Sequence, residues 1–142
     1  MPSSAGAAGE RQPVLAVGVD LVEIARVAGV FERHPVRFLT RHFTVAEQEQ
    51  CDGDPRRLAM RWAAKEAAAK ALATGIGPIG WTDIEVLSDR RGAPHVSLHG
   101  AARREAEALG LSAWSVSLSD TAEHAIAIVA AIGSRETVER PD

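Results

Sequence analysis

A single domain that mixes helices with antiparallel strands is the fold class the sequence predicts, and three observations predict it. The chain has 142 residues with 46% hydrophobic content, enough for one core and too few for two comfortable ones. Apolar residues recur at helical spacing through "RRLAMRWAAKEAAAKAL", residues 56 to 72. Short apolar or alternating runs separated by turn sequences read as hairpin-connected strands.

Residues 1–12 and 135–142 are polar, small or charged and read as disordered tails around a domain at 13–134. "VLAVGVDLV" at 14 to 22 is a β-branched apolar run of strand length, and the helical spacing of Leu21, Ile24, Val27 and Phe31 starts a helix near Leu21. "TVAEQEQC" is a short helix, with Thr44 as N-cap and Glu47 at capping-box spacing. The main helix runs from about 55 to 74: Asp54 caps it, Pro55 suits its first turn, and Gly75, Gly77 and Pro78 stop it. "WTDIEVL" at 81 to 87 and "APHVSL" at 93 to 98 form a hairpin across "SDRRG". A helix at 100 to 110 ends at Gly110, and "AWSVSLS" at 113 to 119 runs antiparallel to "AIAIVAAI" at 125 to 132.

The net charge of −3 gives no general nucleic-acid-binding surface. The single cysteine, Cys51, excludes an intramolecular disulfide and a cysteine-based zinc site, and reads as a buried apolar residue. No secretion signal is recognisable and no run approaches membrane-spanning length, so the expectation is a cytoplasmic protein with neither nucleic-acid nor membrane partners. None of His34, His42, His95, His99 and His124 stands at metal-ligand spacing with another.

Two charges stand out. At 100° per residue Leu58, Trp62, Ala69 and Leu72 define a buried stripe, and Lys65 lies along its centre. A buried ammonium must snorkel, pair with a carboxylate, or face a cleft that receives an anion. Glu66 lies at the stripe's edge with Lys70 one turn on, which also suits an ordinary surface pair. Asp20 is the only charge from Val14 to Val22. It forms either a capping box with Glu23 or, with Glu66, a carboxylate pair for a hard cation such as magnesium, which takes one or two carboxylates and leaves positions for water and phosphate oxygens. Gly75 in "TGIGPIG" serves helix termination equally well as anion approach.

Taken together, "VGVDLVEIARV", "RWAAKEAAAKALATGIG", "DIEVLSDRRGAPHVSL" and "WSVSLSD" resemble the holo-acyl-carrier-protein synthase family, the small bacterial 4′-phosphopantetheinyl transferases, over nearly all of residues 14 to 132. The resemblance implies an α+β fold, an antiparallel sheet packed with a long central helix, assembled as a homotrimer with sites between subunits. It implies magnesium-dependent transfer of phosphopantetheine from coenzyme A to a serine of an acyl carrier protein of fatty-acid or polyketide synthesis, releasing adenosine 3′,5′-bisphosphate. Carried over by motif, Asp20 and Glu66 would hold the metal and serve catalysis with Lys70. Arg61, Lys65, Lys70, Gly75 and Ser117 would line the coenzyme A site, and Arg26 would grip the carrier.

Where many family members read His-Val-Ser-x-x-His, this chain has Ser115 and Asp120 in place of the two histidines. Asp120 is a turn residue, a base, or an anion that repels coenzyme A unless a metal or an arginine offsets it. The replacement leaves a second expectation, a non-catalytic relative that binds coenzyme A or a carrier. A third is a small interaction domain in which Asp20 and Glu66 are only a helix cap and a surface pair. Trp114 reads as core or interface packing.

Overall fold

The computed structural model describes residues 9–137. Helix α4 (Pro55–Ala71) is its axis. As expected, the Asp54 side chain accepts the Arg56 N–H at 2.9 Å and Pro55 takes the first turn, where a missing N–H costs nothing. Ala59, Ala63, Ala64, Ala67, Ala68 and Ala69 are all fully buried, so the helix is enclosed nearly all round rather than along one stripe, and Trp62 is only half-buried. The helix stops at Ala71, short of 74. Ala73 takes a left-handed φ of 61°, and the Thr74 and Gly75 N–H groups fold back onto the Ala69 carbonyl at 3.3 and 3.2 Å.

Strand β1 (Arg11–Glu23) enters next to this helix and leads into α1 (Ile24–Arg33), α2 (Pro35–His42) and α3 (Val45–Cys51). After α4, a single 3₁₀ turn at Trp81–Asp83 replaces the first part of the expected strand, and β2 (Ile84–Ser88) and β3 (Pro94–Leu98) form the expected hairpin as a sheet of their own. Then come α5 (Gly100–Leu109), β4 (Leu111–Asp120) and β5 (His124–Glu136). The main sheet is antiparallel in the order β1-β5-β4. The fold is thus α+β, with an antiparallel sheet packed on a long central helix.

Two expectations are corrected and one element is added. Residues 1–8 and 138–142 of the expected tails lie outside the described residues, but Arg11 and Gln12 belong to β1 and pair with Glu136 and Arg135 of β5. The strand continues through Glu23, so no helix starts at Leu21. Residues 35 to 42, for which no element is expected from the sequence, form α2 with Pro35 in its first turn.

The inner face of the sheet packs Ala127, Val129 and Ala131 of β5 against the alanines of α4. A second cluster joins Val27, Phe38, Phe43, Cys51 and Leu58 beneath α1, α2 and α3. Burial of Cys51 pushes its thiol pKa up to about 11, in keeping with an inert apolar role. No helix among the described residues is long and apolar enough to cross a membrane.

Candidate active site

The alternation of β1 decides where Asp20 points. Leu15, Val17, Val19 and Leu21 face outward, while Gly18 and Asp20 face α4. Gly18 is required for the approach: a Cβ there would lie 1.9 Å from the Ala67 carbonyl oxygen. Two residues further on, Asp20 reaches α4. Lys70 Nζ donates to the Val19 carbonyl at 3.0 Å and to Asp20 Oδ1 at 3.2 Å.

Asp20 therefore does not cap a helix. α1 begins at Ile24 with Glu23 as its N-cap and no side-chain cap bond. Glu66 belongs to the same cluster: burial raises its carboxyl pKa above the ordinary value, the Asp20 charge raises it further, and Lys70 opposes both. Like charges held near each other, with one lysine between them, leave room for a cation. Among the described residues no third His, Cys, Asp or Glu joins them in a metal-binding group.

Lys65 does not face this cluster, and its expected contact with coenzyme A phosphates is corrected. Its side chain has no exposed surface. The ammonium donates to Glu47 Oε1 at 2.6 Å, to the Trp81 carbonyl at 2.9 Å and to the Ile84 carbonyl, which uses all three of its N–H groups. Burial pulls its pKa below the usual lysine range against the opposing pull of Glu47. Glu47 forms the expected capping box with Thr44 and also accepts the Val86 N–H at 3.0 Å. Of the three outcomes open to a central lysine, pairing with a carboxylate is the one realised.

Arg61, one turn before Lys65, is 6% exposed. It donates to the Val86 carbonyl at 3.1 Å and to Gln50 Oε1 at 2.8 Å. With Arg57, Ser88, Pro94 and Ser117 it lines a cleft of about 580 Å³ between α4, the hairpin and β4. Arg61 and Ser117, both expected at the coenzyme site, are thus brought together. Gly75 is not among the residues lining this cleft, and its N–H bonds the Ala69 carbonyl at the helix terminus.

Arg26 lies on the Asp20 side, where both line a cavity of about 260 Å³ with Val27, Phe38 and Trp62. Within one chain the cleft and the carboxylate cluster are separate. Arg61 and Glu66 point about 140° apart around α4.

Asp120 ends β4 and is ion-paired to Arg56, whose guanidinium also donates to the Thr121 carbonyl at 2.8 Å. An arginine therefore offsets this anion. Trp114 packs half-buried against the main core. Sequence reasoning missed Glu47 as a partner of Lys65, and missed Gln50 and Ser88 in the cleft. The available signal was the spacing of Arg61 and Lys65, four residues apart and so aimed at one neighbouring element.

The class of protein this fold and these residues define is borne out by comparison. The family model of the 4′-phosphopantetheinyl transferase superfamily matches residues 16–129, and the chain belongs to that family. Within it, the chain is similar to holo-[acyl-carrier-protein] synthases. One from Herpetosiphon aurantiacus is 46% identical over 127 residues, covering 84% of this chain and 100% of the relative. Another from Alkalilimnicola ehrlichii is 48% identical over 121 residues, covering 82% and 94%. The crystal structure of the Helicobacter pylori holo-[acyl-carrier-protein] synthase in complex with coenzyme A matches with a TM-score of 0.74 at 31% identity, over 81% of this chain and 98% of that one.

Proposed function

We propose that this protein is a holo-[acyl-carrier-protein] synthase, which transfers the 4′-phosphopantetheine group of coenzyme A to a serine of an apo acyl carrier protein. The observation that carries this reading is the convergence of Asp20, Glu66 and Lys70 at the crossing of β1 and α4, in a chain that matches the transferase family from residue 16 to 129.

The serine oxygen bonds to the β-phosphorus as the bond to the adenosine 3′,5′-bisphosphate half breaks, and positioning and charge supply most of the acceleration. Arg61 and Arg57 offer positive charge to the phosphates of the nucleotide half in the cleft. Lys70 does so beside the carboxylates. The hydroxyl proton passes to a water oriented by Glu66 or Asp20. Magnesium would fit Asp20 and Glu66, because burial and the Asp20 charge leave the Glu66 carboxylate only partly met by Lys70; bound there, it would stabilise negative charge on the pyrophosphate oxygens. Arg26, exposed beside Asp20, is placed to meet an acidic carrier arriving at the same mouth.

The homotrimer is part of the same reading. Leu15, Val17, Val19 and Leu21 of β1 are 48–74% exposed, and Ile128 and Ile132 of β5 continue that apolar face. Further copies covering it would also reconcile the separation within one chain, by setting the cleft of one subunit against the carboxylates of its neighbour. A cytoplasmic location without nucleic-acid or membrane partners accords with the net charge of −3 and the free, buried Cys51. The non-catalytic alternative rested on the lost histidines; Arg56 meets the charge of Asp120 and the Asp20, Glu66, Lys70 set is intact, so transfer is the better reading.

Intact-mass analysis of apo acyl carrier protein after incubation with this protein and coenzyme A, with and without magnesium, tests the proposal. A magnesium-dependent gain of one phosphopantetheine arm is expected. Absence of that gain across fatty-acid and polyketide carriers, with coenzyme A still bound, would return the non-catalytic reading.

A further inference from the structure

The hairpin β2 and β3 meets the rest of the protein through an unusual edge. On one side β2 pairs with β3, from Ile84↔Leu98 to Ser88↔Pro94. On the other side no strand follows, and side chains from α3 and α4 take its backbone groups one after another. Lys65 takes the Ile84 carbonyl and Glu47 takes the Val86 N–H. Arg61 takes the Val86 carbonyl, and the Gln50 amide accepts the Ser88 N–H at 2.8 Å and donates to the Ser88 carbonyl at 2.9 Å. A sheet edge of this kind normally demands a strand, a covering element or water. Here four side chains stand in for the strand.

The ladder has a sealed end and an open end. Lys65 and Glu47 are fully buried, and nothing in the transfer reaction touches them. Arg61, Gln50 and Ser88 line the cleft, together with Asp89, Gly92 and Pro94 from the hairpin itself. Moving the sealed end therefore moves one wall of the cleft.

We infer that Glu47 and Lys65 are positioning residues for coenzyme A: by fixing Ile84 and Val86 of β2 they set the hairpin wall against which the nucleotide half is held. This rests on the cleft being the coenzyme site. Replacing one member of a buried ion pair strands the other, whereas replacing both with apolar groups of similar volume removes that penalty. Stability and positioning can thus be separated.

The test compares Glu47→Met, Lys65→Met and the double variant by thermal melting and by steady-state transfer, with coenzyme A and carrier varied in turn. Each single variant melts well below wild type and the double variant recovers much of the loss. At matched folded fraction, the double variant shows a KM for coenzyme A raised about fivefold, the scale of one lost hydrogen bond. Its kcat and its KM for the carrier stay near wild type.

An unchanged KM for coenzyme A in a well-folded double variant would overturn the inference, because the pair would then be structural only. Should the double variant not fold, Glu47→Asp keeps both charges but shortens the reach to Val86; it raises the same KM if the inference is right and leaves it unchanged if it is wrong. Arg57→Ala, in the cleft but outside the ladder, separates the two claims. Without effect on coenzyme A binding, it overturns the cleft assignment and the inference with it. A weakened binding in Arg57→Ala beside an unaltered double variant defeats the inference alone.

Discussion

The buried pair at Lys65 and the carboxylate cluster at Glu66 stand one residue apart on α4, and they differ in how their charges are met. Lys65 has three acceptors for three N–H groups and no exposed surface. Glu66 is half-buried, its carboxyl pushed up by burial and by Asp20, with the Lys70 charge only partly opposing. Saturation makes the first a fastener. Incomplete compensation is what, on the proposed reading, would let a cation and a polyanion gain by arriving at the second. The residue types are the same in both, a lysine and carboxylates, so the assignment of role comes from the neighbours.

Removing either carboxylate of the under-compensated cluster should break the chemistry and spare the fold. Asp20→Ala or Glu66→Ala is expected to lower transfer by roughly 10³-fold or more, on the scale of losing an electrostatic stabiliser, with the melting temperature near wild type. Mass-spectrometric turnover and a melting curve check it.

The opposite outcome is expected at the fastener. Glu47→Ala leaves the Lys65 ammonium buried without its carboxylate and should cost about 3–5 kcal/mol in urea unfolding. Gly18→Ala falls between the two. Its Cβ would meet the Ala67 carbonyl oxygen at 1.9 Å, so β1 must withdraw from α4, costing about 1–3 kcal/mol and taking Asp20 away from Glu66. Reduced stability together with reduced transfer is expected.

The pH dependence sharpens the comparison. Because the folded-state pKa of Glu66 is raised, the native chain holds a proton that the unfolded chain has already released in the window above the ordinary value of 4.5. Without metal, its contribution to stability is therefore lost as pH rises through that window. A cation on the ionised carboxylates reverses the sign, so melting measured with and without magnesium should show opposite slopes there, and turnover should rise with pH across it. The smallest effect is expected at the surface: Asp120→Asn loosens an exposed ion pair to Arg56 and should change stability by about 1 kcal/mol or less.

Much of this was legible in the sequence where local chemistry decides. The Thr44 and Glu47 capping box, the Asp54 cap and the hairpin before α5 all rest on neighbours a few residues apart. The anomaly of Lys65 was visible too. Its partner was not, because Glu47 is already accounted for by its cap and lies eighteen residues away.

The cap alternative for Asp20 looked open for a related reason. The run from Val14 to Val22 looks uniformly buried, whereas its large residues face outward and its inward positions include Gly18 and Asp20. An apolar outer face inverts the usual pattern of a half-buried strand. α2 was missed because Pro35 breaks one helix and starts the next with equal ease.

The most direct measurement is the transfer rate of Glu66→Gln, read by intact mass of the carrier, on protein whose melting curve has been recorded without metal. The account predicts a melting temperature at or slightly above wild type near neutral pH, since a half-buried charge facing Asp20 is gone, and transfer reduced to background. Wild-type transfer by this variant, or a collapse of its fold, would contradict the division of labour between Lys65 and Glu66.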